Sequence, residues 1–400
     1  MSFSTPTSPV TVIALADSDS YLKWAAATLD TLNADFRCHL VLVRSPIMPS
    51  PQQIEAALAG TRFSGQDIRA LRLSEVKKYV ERCEPDVLLL AATGPVVELV
   101  AELSVRMKRR PALISGIPGM ALPARIKGMR YRARCHSLIV HSRIEATEYG
   151  AVADLAAMEK TLVLSHLPFL PALQQPRTRK VSTVLFTPQA LVPSTRTARV
   201  RILQTLHDTA LAHPNVRIVI KVRALKGEQQ THRERFAYDD LWADMCRNNT
   251  SLSAQALSFA TGPLTDFFDD GVAHVTVSST AALESLAYGL PTLILRDFGL
   301  NERMLNSVFA TSGLVGTLND VAHIRFNHVN DGWLEDNYFH EQPSQLPQHV
   351  KELAAASRAR TLPLHSRAVG RKRLYSIARN AVRTMAPAHV TRLLKRLHIL

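Results

Sequence analysis

Ser278, Ser279 and Thr280 set three small hydroxyls side by side, between an apolar run at 275–277 and a segment at 281–287 that reads as a helix. A turn of this kind points free backbone N–H groups, hydroxyls and the positive end of a helix dipole at one spot, which suits a phosphate. Thr280 alone would suffice as an N-cap, so capping accounts for only part of the triplet. Glu284 follows Thr280 by four residues, not three, so it completes no capping box and stands where it could accept from a ribose hydroxyl. Gly289 is placed to end the helix, Pro291 enforces the stop, and 292–295 is the next strand.

Proton chemistry has candidates near the other end of the chain. A sugar transferred to a hydroxyl needs a carboxylate or His to take the proton. Asp17 and Asp19 follow the apolar run 10–16, in the turn before a helix. Asp19 also reads as that helix's cap, which makes Asp17 the preferred base. Lys221 and Arg223 close the apolar run 216–222, and period two puts both on one side, at an end that would hold a leaving phosphate. Gly116, Pro118 and Gly119 allow close backbone approach, either as an acceptor-side loop or as a tight turn. The run Arg125, Lys127, Arg130, Arg132 and Arg134 reads as solvated surface or as a surface for acidic glycans. Asp17 and Asp19 mimic a D-x-D spacing without forming one of the metal-dependent kind. No metal and no cofactor are expected.

Positioning these residues requires alternating strands and helices. Apolar runs at 10–16, 38–43, 87–90, 112–114 and 136–140 are separated by helical patterns at 21–32, 52–59, 74–83 (capped by Ser74) and from 95 to 107. Such alternation predicts an α/β layer on a parallel sheet. A Pro-rich stretch at 166–180 reads as a linker, after which the pattern restarts with strands at 182–186 and 216–222 and a helix at 199–213. Residues 251–253 read as a weak strand and 264–268 as a short helix. The expected division is therefore an N-terminal Rossmann-like domain (1–165), the linker, a second such domain (181–330), a return segment (331–370) and a basic tail (371–400). Within the return segment, the acidic and aromatic piece 333–345 reads as packing back across a cleft.

The Ser278-Ser279-Thr280 triplet, Glu284 and the 287–291 sequence AYGLP resemble the donor-nucleotide segment of the GT-B glycosyltransferases. The pattern is shared with the related nucleotide-sugar epimerases. More narrowly, the whole chain resembles an actinobacterial family of uncharacterised glycosyltransferases. The resemblance implies two doubly wound domains facing a cleft, with the ligand between the carboxyl ends of the two sheets. It also implies a nucleotide-sugar donor, with phosphate and ribose held by the triplet and Glu284. The stretch from Ala224 to His232 resembles a segment of some bacterial sialyltransferase-like enzymes, in which a His contacts the nucleotide of a CMP-activated sugar. That likeness makes His232 a donor-side candidate, although the His-Pro pair of those enzymes is missing there; His213-Pro214 precedes the strand instead.

Composition narrows the classes further. With 46% hydrophobic and 20% charged residues the chain is globular, not disordered. Four scattered cysteines without C-x-x-C spacing suggest a reducing compartment. No signal peptide is visible and no apolar run reaches about 18 residues, so the expected location is cytoplasmic. The net charge of +14 would suggest nucleic acid, but eleven Lys or Arg and no acid lie between Arg358 and Leu400, which argues against that partner. Leu374, Ile377, Ala378, Ala381, Val382 and Met385 recur at helical spacing beside basic residues, and Val390, Leu393, Leu394 and Leu397 repeat the pattern. Residues 371–400 thus read as an element for an anionic membrane surface on the inner face, or as a helix docked on the first domain. The leading expectation is a metal-independent, inverting transferase, of hexosyl or CMP-sugar type, acting on a cell-envelope glycan or lipid-linked acceptor. The alternatives are a nucleotide-sugar 2-epimerase, disfavoured because the triplet lacks an Asp-Ser-Gly-Gly turn, and a non-catalytic binder of acidic polymer.

Overall fold

Central strands of a parallel sheet are covered on both faces, so they read as unbroken apolar runs. The computed structural model describes residues 8–155, 161–177, 179–222, 234–363 and 371–385. The chain falls into two compact units, 1–169 with 342–400, and 170–341.

In unit 1 the chain runs β1 (Val10–Ala16), α1 (Asp19–Asp30), β2 (Phe36–Val43), α2 (Pro51–Leu58), β3 (Ala70–Leu71), α3 (Leu73–Cys83) and β4 (Val87–Ala91). It continues through α4 (Gly94–Ser104), β5 (Ala112–Ser115), α5 (Ile126–Tyr131), β6 (Ser137–Val140), α6 (Arg143–Leu155) and β7 (Thr161–Leu164). The sheet order is β3-β2-β1-β4-β5-β6-β7, every pair parallel. One face is closed by Ile13, Leu15, Leu88 and Leu90 packing on Val96, Val97 and Val100 of α4.

Unit 2 repeats the plan with β8 (Thr183–Phe186), α7 (Arg196–Ala212), β9 (Arg217–Lys221), α8 (Tyr238–Asn248), β10 (Leu257–Ala260) and β11 (Val272–Thr276). After these come α9 (Ala281–Ala287), β12 (Thr292–Leu295), β13 (Val315–Gly316), α10 (Leu318–Ala322) and α11 (Asp331–Asp336). Its order, β10-β9-β8-β11-β12-β13, is again all parallel. The chain then returns to unit 1 as α12 (Leu346–Ala359) and α13 (Arg371–Met385). Two parallel Rossmann-like sheets, each reversing its strand order beside its first strand, make the GT-B fold.

Several elements differ from the sequence expectation. The strand expected at 251–253 is a polar turn, because the Asn249 side chain accepts from Ser251 N (3.1 Å) and Ser251 Oγ (2.7 Å). The strand follows instead at Leu257–Ala260. Ser74 does not cap α3 but lies inside it; the N-cap is Arg72, two residues earlier, whose N donates to the Glu75 carboxylate at 2.7 Å. The piece beginning at Trp333 stays in unit 2 as far as Glu341, with the indole stacked on Phe309 and donating to the Val308 carbonyl at 2.8 Å. The chain rejoins unit 1 at Ser344 and Gln345, which bond Ser165 and Leu164. There α12 follows, where Arg358 donates to both oxygens of Asp86, at 2.9 and 2.7 Å.

Part of the Pro-rich stretch is held to unit 2, since Gln174 N donates to Ala287 O and Arg177 N to Gly289 O, both at 2.8 Å. This crossing explains Gly289 twice over. Its φ of +69° closes α9, with Gly289 N bonded to Leu286 O and Leu290 N to Ser285 O. Any Cβ there would also stand 2.2 Å from the Gln175 carbonyl oxygen.

Candidate active site

In unit 2 the three hydroxyls have separate jobs. Ser278, 3% exposed, donates through Oγ to the Leu305 carbonyl at 2.5 Å, tying the turn to the loop that follows β12. That loop is itself folded around Asn306, whose side chain donates to Gly299 O and accepts from Asn301 N, both at 3.0 Å. Ser279 Oγ accepts from Ala281 N at 3.1 Å. Capping at this turn therefore falls to Ser279. Thr280 already has helical backbone angles (φ −59°, ψ −21°) and its side chain makes no capping bond. Of the three hydroxyls, its own is the one that neither caps the helix nor ties down the turn. The helix behind it, α9, spans only seven residues, so hydroxyls matter more here than a helix dipole.

Beneath the turn lies a polar layer that the sequence reading missed. Thr276 Oγ1 donates to Thr187 O at 2.8 Å, and Thr187 Oγ1 bonds His274 Nε2 at 2.7 Å, joining the carboxyl ends of β8 and β11. His274 is fully buried, and burial pulls it down to about 3, so the ring is neutral. Glu284 lies half-buried on the first turn of α9, and Lys221, also half-buried, ends β9 two strands from β11. Arg223 and His232 lie outside the described residues.

The carboxyl edge of unit 1 is built from charges. Asp17 is fully buried and accepts from Thr93 twice, from the backbone N at 3.0 Å and from Oγ1 at 2.5 Å. Burial pushes its pKa up to about 6, against the lowering influence of the Thr93 bonds and the Arg132 charge. The reason for setting Asp19 aside does not hold, because Ser18 occupies the N-cap position of α1 and Asp19 is the first helical residue, half-buried.

Arg132 is the largest departure from expectation. Arg125, Lys127 and Arg130 are exposed as a solvated run would be, but Arg132 and Arg134 are only 3% and 6% exposed. Just past α5 the chain turns inward, and the Arg132 guanidinium donates to Ser115 Oγ (3.0 Å), Tyr21 Oη (3.0 Å) and the carbonyls of Gly116 (3.2 Å), Gly128 (3.1 Å) and Ala92 (3.4 Å). Arg134 pairs with Glu102 at 3.0 Å. One Arg therefore gathers the ends of α1, β5 and α5.

The 116–124 loop is fixed from two sides. A Cβ on Gly116 would come within 2.6 Å of the Trp24 ring, so only glycine lets the strand end approach α1. Gly119 has φ +75°, which settles its residue type, and Pro118 is half-buried between the two. Farther on, Glu145 accepts from Ala121 N at 3.0 Å and Glu148 from Ala124 N at 2.9 Å. Trp24 Nε1 donates to His141 Nε2 at 2.8 Å, so the proton of this buried ring sits on Nδ1, which faces the Ser165 carbonyl at 3.0 Å. Burial pulls His141 down to about 4, and it stays neutral. Among the described residues no three His, Cys, Asp or Glu side chains converge as a metal-holding group. No helix described is long and apolar enough to cross a membrane.

Solved structures with this architecture include the UDP co-structure of S. aureus MnaA, with 8% identity, TM-score 0.54, and 89% of this chain and 98% of that one covered. The UDP-GlcNAc 2-epimerase of Neisseria meningitidis bound to UDP-GlcNAc shares 10% identity at TM-score 0.52, with 88% and 98% covered. The UDP-GlcNAc 2-epimerase of Methanocaldococcus jannaschii shares 12% at 0.51, with 88% and 99% covered. Identities this low speak for the fold alone. No curated protein matches the chain. The sequence profile of the family described as "Putative glycosyltransferase (DUF6716)" matches residues 12–353, and the chain belongs to that family.

Proposed function

We propose that the chain transfers a sugar from a nucleotide-sugar donor to a hydroxyl of a cell-envelope glycan or lipid-linked acceptor, with inversion and without a metal. The observation that carries the reading is the uncommitted Thr280 hydroxyl beside Ser279 on a turn that Ser278 locks in place. Thr280 and Lys221 hold the donor phosphate, and Glu284 accepts from the ribose. As the acceptor oxygen bonds to the anomeric carbon, the bond to the phosphate oxygen breaks and that oxygen leaves with the electron pair. Lys221 and the hydroxyl offset its charge.

Asp19 takes the acceptor's proton. A base has to touch the group it deprotonates. Asp19 has exposed surface, whereas Asp17 has none and both its oxygens face Thr93. One observation favours the second reading, Asp17 as base: its pKa of about 6 suits proton transfer near neutral pH. Calorimetric titration with UDP, GDP and CMP tests the donor site, and no affinity for any of them would sink the transferase. Asp19→Asn should then abolish transfer while leaving nucleotide affinity intact. A fully active Asp19→Asn enzyme beside a dead but folded Asp17→Asn enzyme would return the role to Asp17. Conversion of a UDP-sugar at C2 in the absence of acceptor would establish an epimerase instead, the reaction named for two of the similar structures.

A further inference from the structure

Helical spacing placed Leu374, Ile377, Ala378, Ala381 and Val382 in one apolar stripe, but α13 divides them between two sides. Its inner side packs Ile377 and Ala381 on the core that α4 closes. There the Glu98 carboxylate, on a residue 4% exposed, accepts from Ser376 Oγ at 3.0 Å and from Asn380 Nδ2 at 2.6 Å. The outer side leaves Leu374 at 58%, Tyr375 at 64% and Val382 at 39% exposure, with Ala378 exposed between them. A helix retained only to cover α4 would carry polar residues on that outer side.

The surrounding charge identifies the occupant. The fifteen residues of α13 include five Lys or Arg and no acid, within a segment from Arg358 to Leu400 that holds eleven and none. An apolar strip on a basic helix with no acid suits the boundary between anionic headgroups and acyl chains. We propose that Leu374, Tyr375, Ala378 and Val382 dock on an anionic lipid bilayer while Glu98, through Ser376 and Asn380, keeps the helix attached to unit 1. This surface is independent of the reaction proposed above.

Co-sedimentation of the full chain with vesicles tests it. Binding should require phosphatidylglycerol mixed into phosphatidylcholine and should weaken as salt is raised, since exposed charges are screened. The triple variant Leu374→Ser, Tyr375→Ser, Val382→Ser should partition onto those vesicles roughly tenfold more weakly, as expected for losing buried apolar side chains at an interface. Its melting temperature should stay that of the parent, because all three side chains point away from the core. Failure of the parent to bind anionic vesicles, or equal binding by the triple variant, overturns the proposal. So does light scattering that shows a dimer which the triple variant abolishes without any vesicle binding, because the strip would then belong to a second copy.

Discussion

The two sheets share their order and their parallel pairing, yet their carboxyl edges are furnished with opposite chemistries. Unit 1 ends in buried charge: Asp17 under Thr93, and Arg132 spread over Tyr21, Ser115 and three carbonyls. At β8 and β11 unit 2 ends in neutral hydroxyls, Thr187, Thr276, Ser278, Ser279 and Thr280, over a neutral His274. A buried charge is tolerable only when each of its bonds is satisfied, so it builds a rigid edge and leaves little capacity for a ligand. Hydroxyls cost less to desolvate and can turn toward whatever arrives. One edge therefore holds its geometry, and the other keeps hydroxyls that can reorient.

Removing the charge from the rigid edge should be the most costly change. Arg132→Met would leave the Ala92, Gly116 and Gly128 carbonyls and the Tyr21 and Ser115 hydroxyls without their guanidinium donor, and would remove the positive charge that acts on Asp17. A loss of about 3–5 kcal/mol in denaturant unfolding is expected, the range for breaking a buried charged network on one side. A loss under about 1 kcal/mol would mean that this edge is as compliant as the other.

Asp17 makes the same contrast visible through pH. Its carboxyl holds a proton to about pH 6 when folded, against 3.8 for an ordinary Asp. Between those values the folded state binds more protons than the unfolded one, so stability falls as pH rises across the window. The whole fall is about 3 kcal/mol, from roughly 1.4 kcal/mol per pH unit. Asp17→Asn keeps both partners in reach, because its carbonyl oxygen can accept from Thr93 N and its amide can donate to Thr93 Oγ1. Unfolding curves from pH 4 to 6 should therefore slope down for the parent and lie flatter for the variant. Identical slopes would show that Asp17 ionises as an exposed carboxylate does.

How much of this was legible follows from the range of each interaction. Val10–Ala16 and Val87–Ala91 were readable because burial on both faces leaves an unbroken apolar run. β3 has two residues and was not, and neither was β7, a four-residue strand that ends just ahead of the Pro-rich stretch. The hydroxyl triplet was legible as a feature, but its division of labour was not, since the partner of Ser278 lies 27 residues on, at Leu305. Arg132 was unreadable in principle: its spacing from Arg130 and Arg134 says surface, and only the inward turn after α5 buries it. Of the tail, residues 371–385 form the expected helix, and residues 386–400, with Val390, Leu393, Leu394 and Leu397, lie outside the described residues. The buried Glu98, 282 residues from Asn380, decides which side of the helix faces in.

The smallest effects should fall on the receptive edge, where two adjacent hydroxyls are expected to separate cleanly. Ser279→Ala removes the acceptor of Ala281 N and should cost about 1 kcal/mol of stability, an ordinary capping loss. Its effect on nucleotide affinity should be minor. Thr280→Ala removes a side chain with no capping bond, so melting should shift little. Nucleotide affinity should instead drop by about 1–3 kcal/mol, the range for losing a hydrogen bond to a charged group. Pairing calorimetric titration with melting curves on both variants gives four readings, and the proposal requires the two losses to fall on different residues. If Thr280→Ala binds nucleotide as the parent does, the hydroxyl is idle and phosphate recognition must rest on Lys221 and backbone groups. If Ser279→Ala loses affinity as well as stability, the cap and the ligand share one hydroxyl, and the edge is less divided than its geometry indicates.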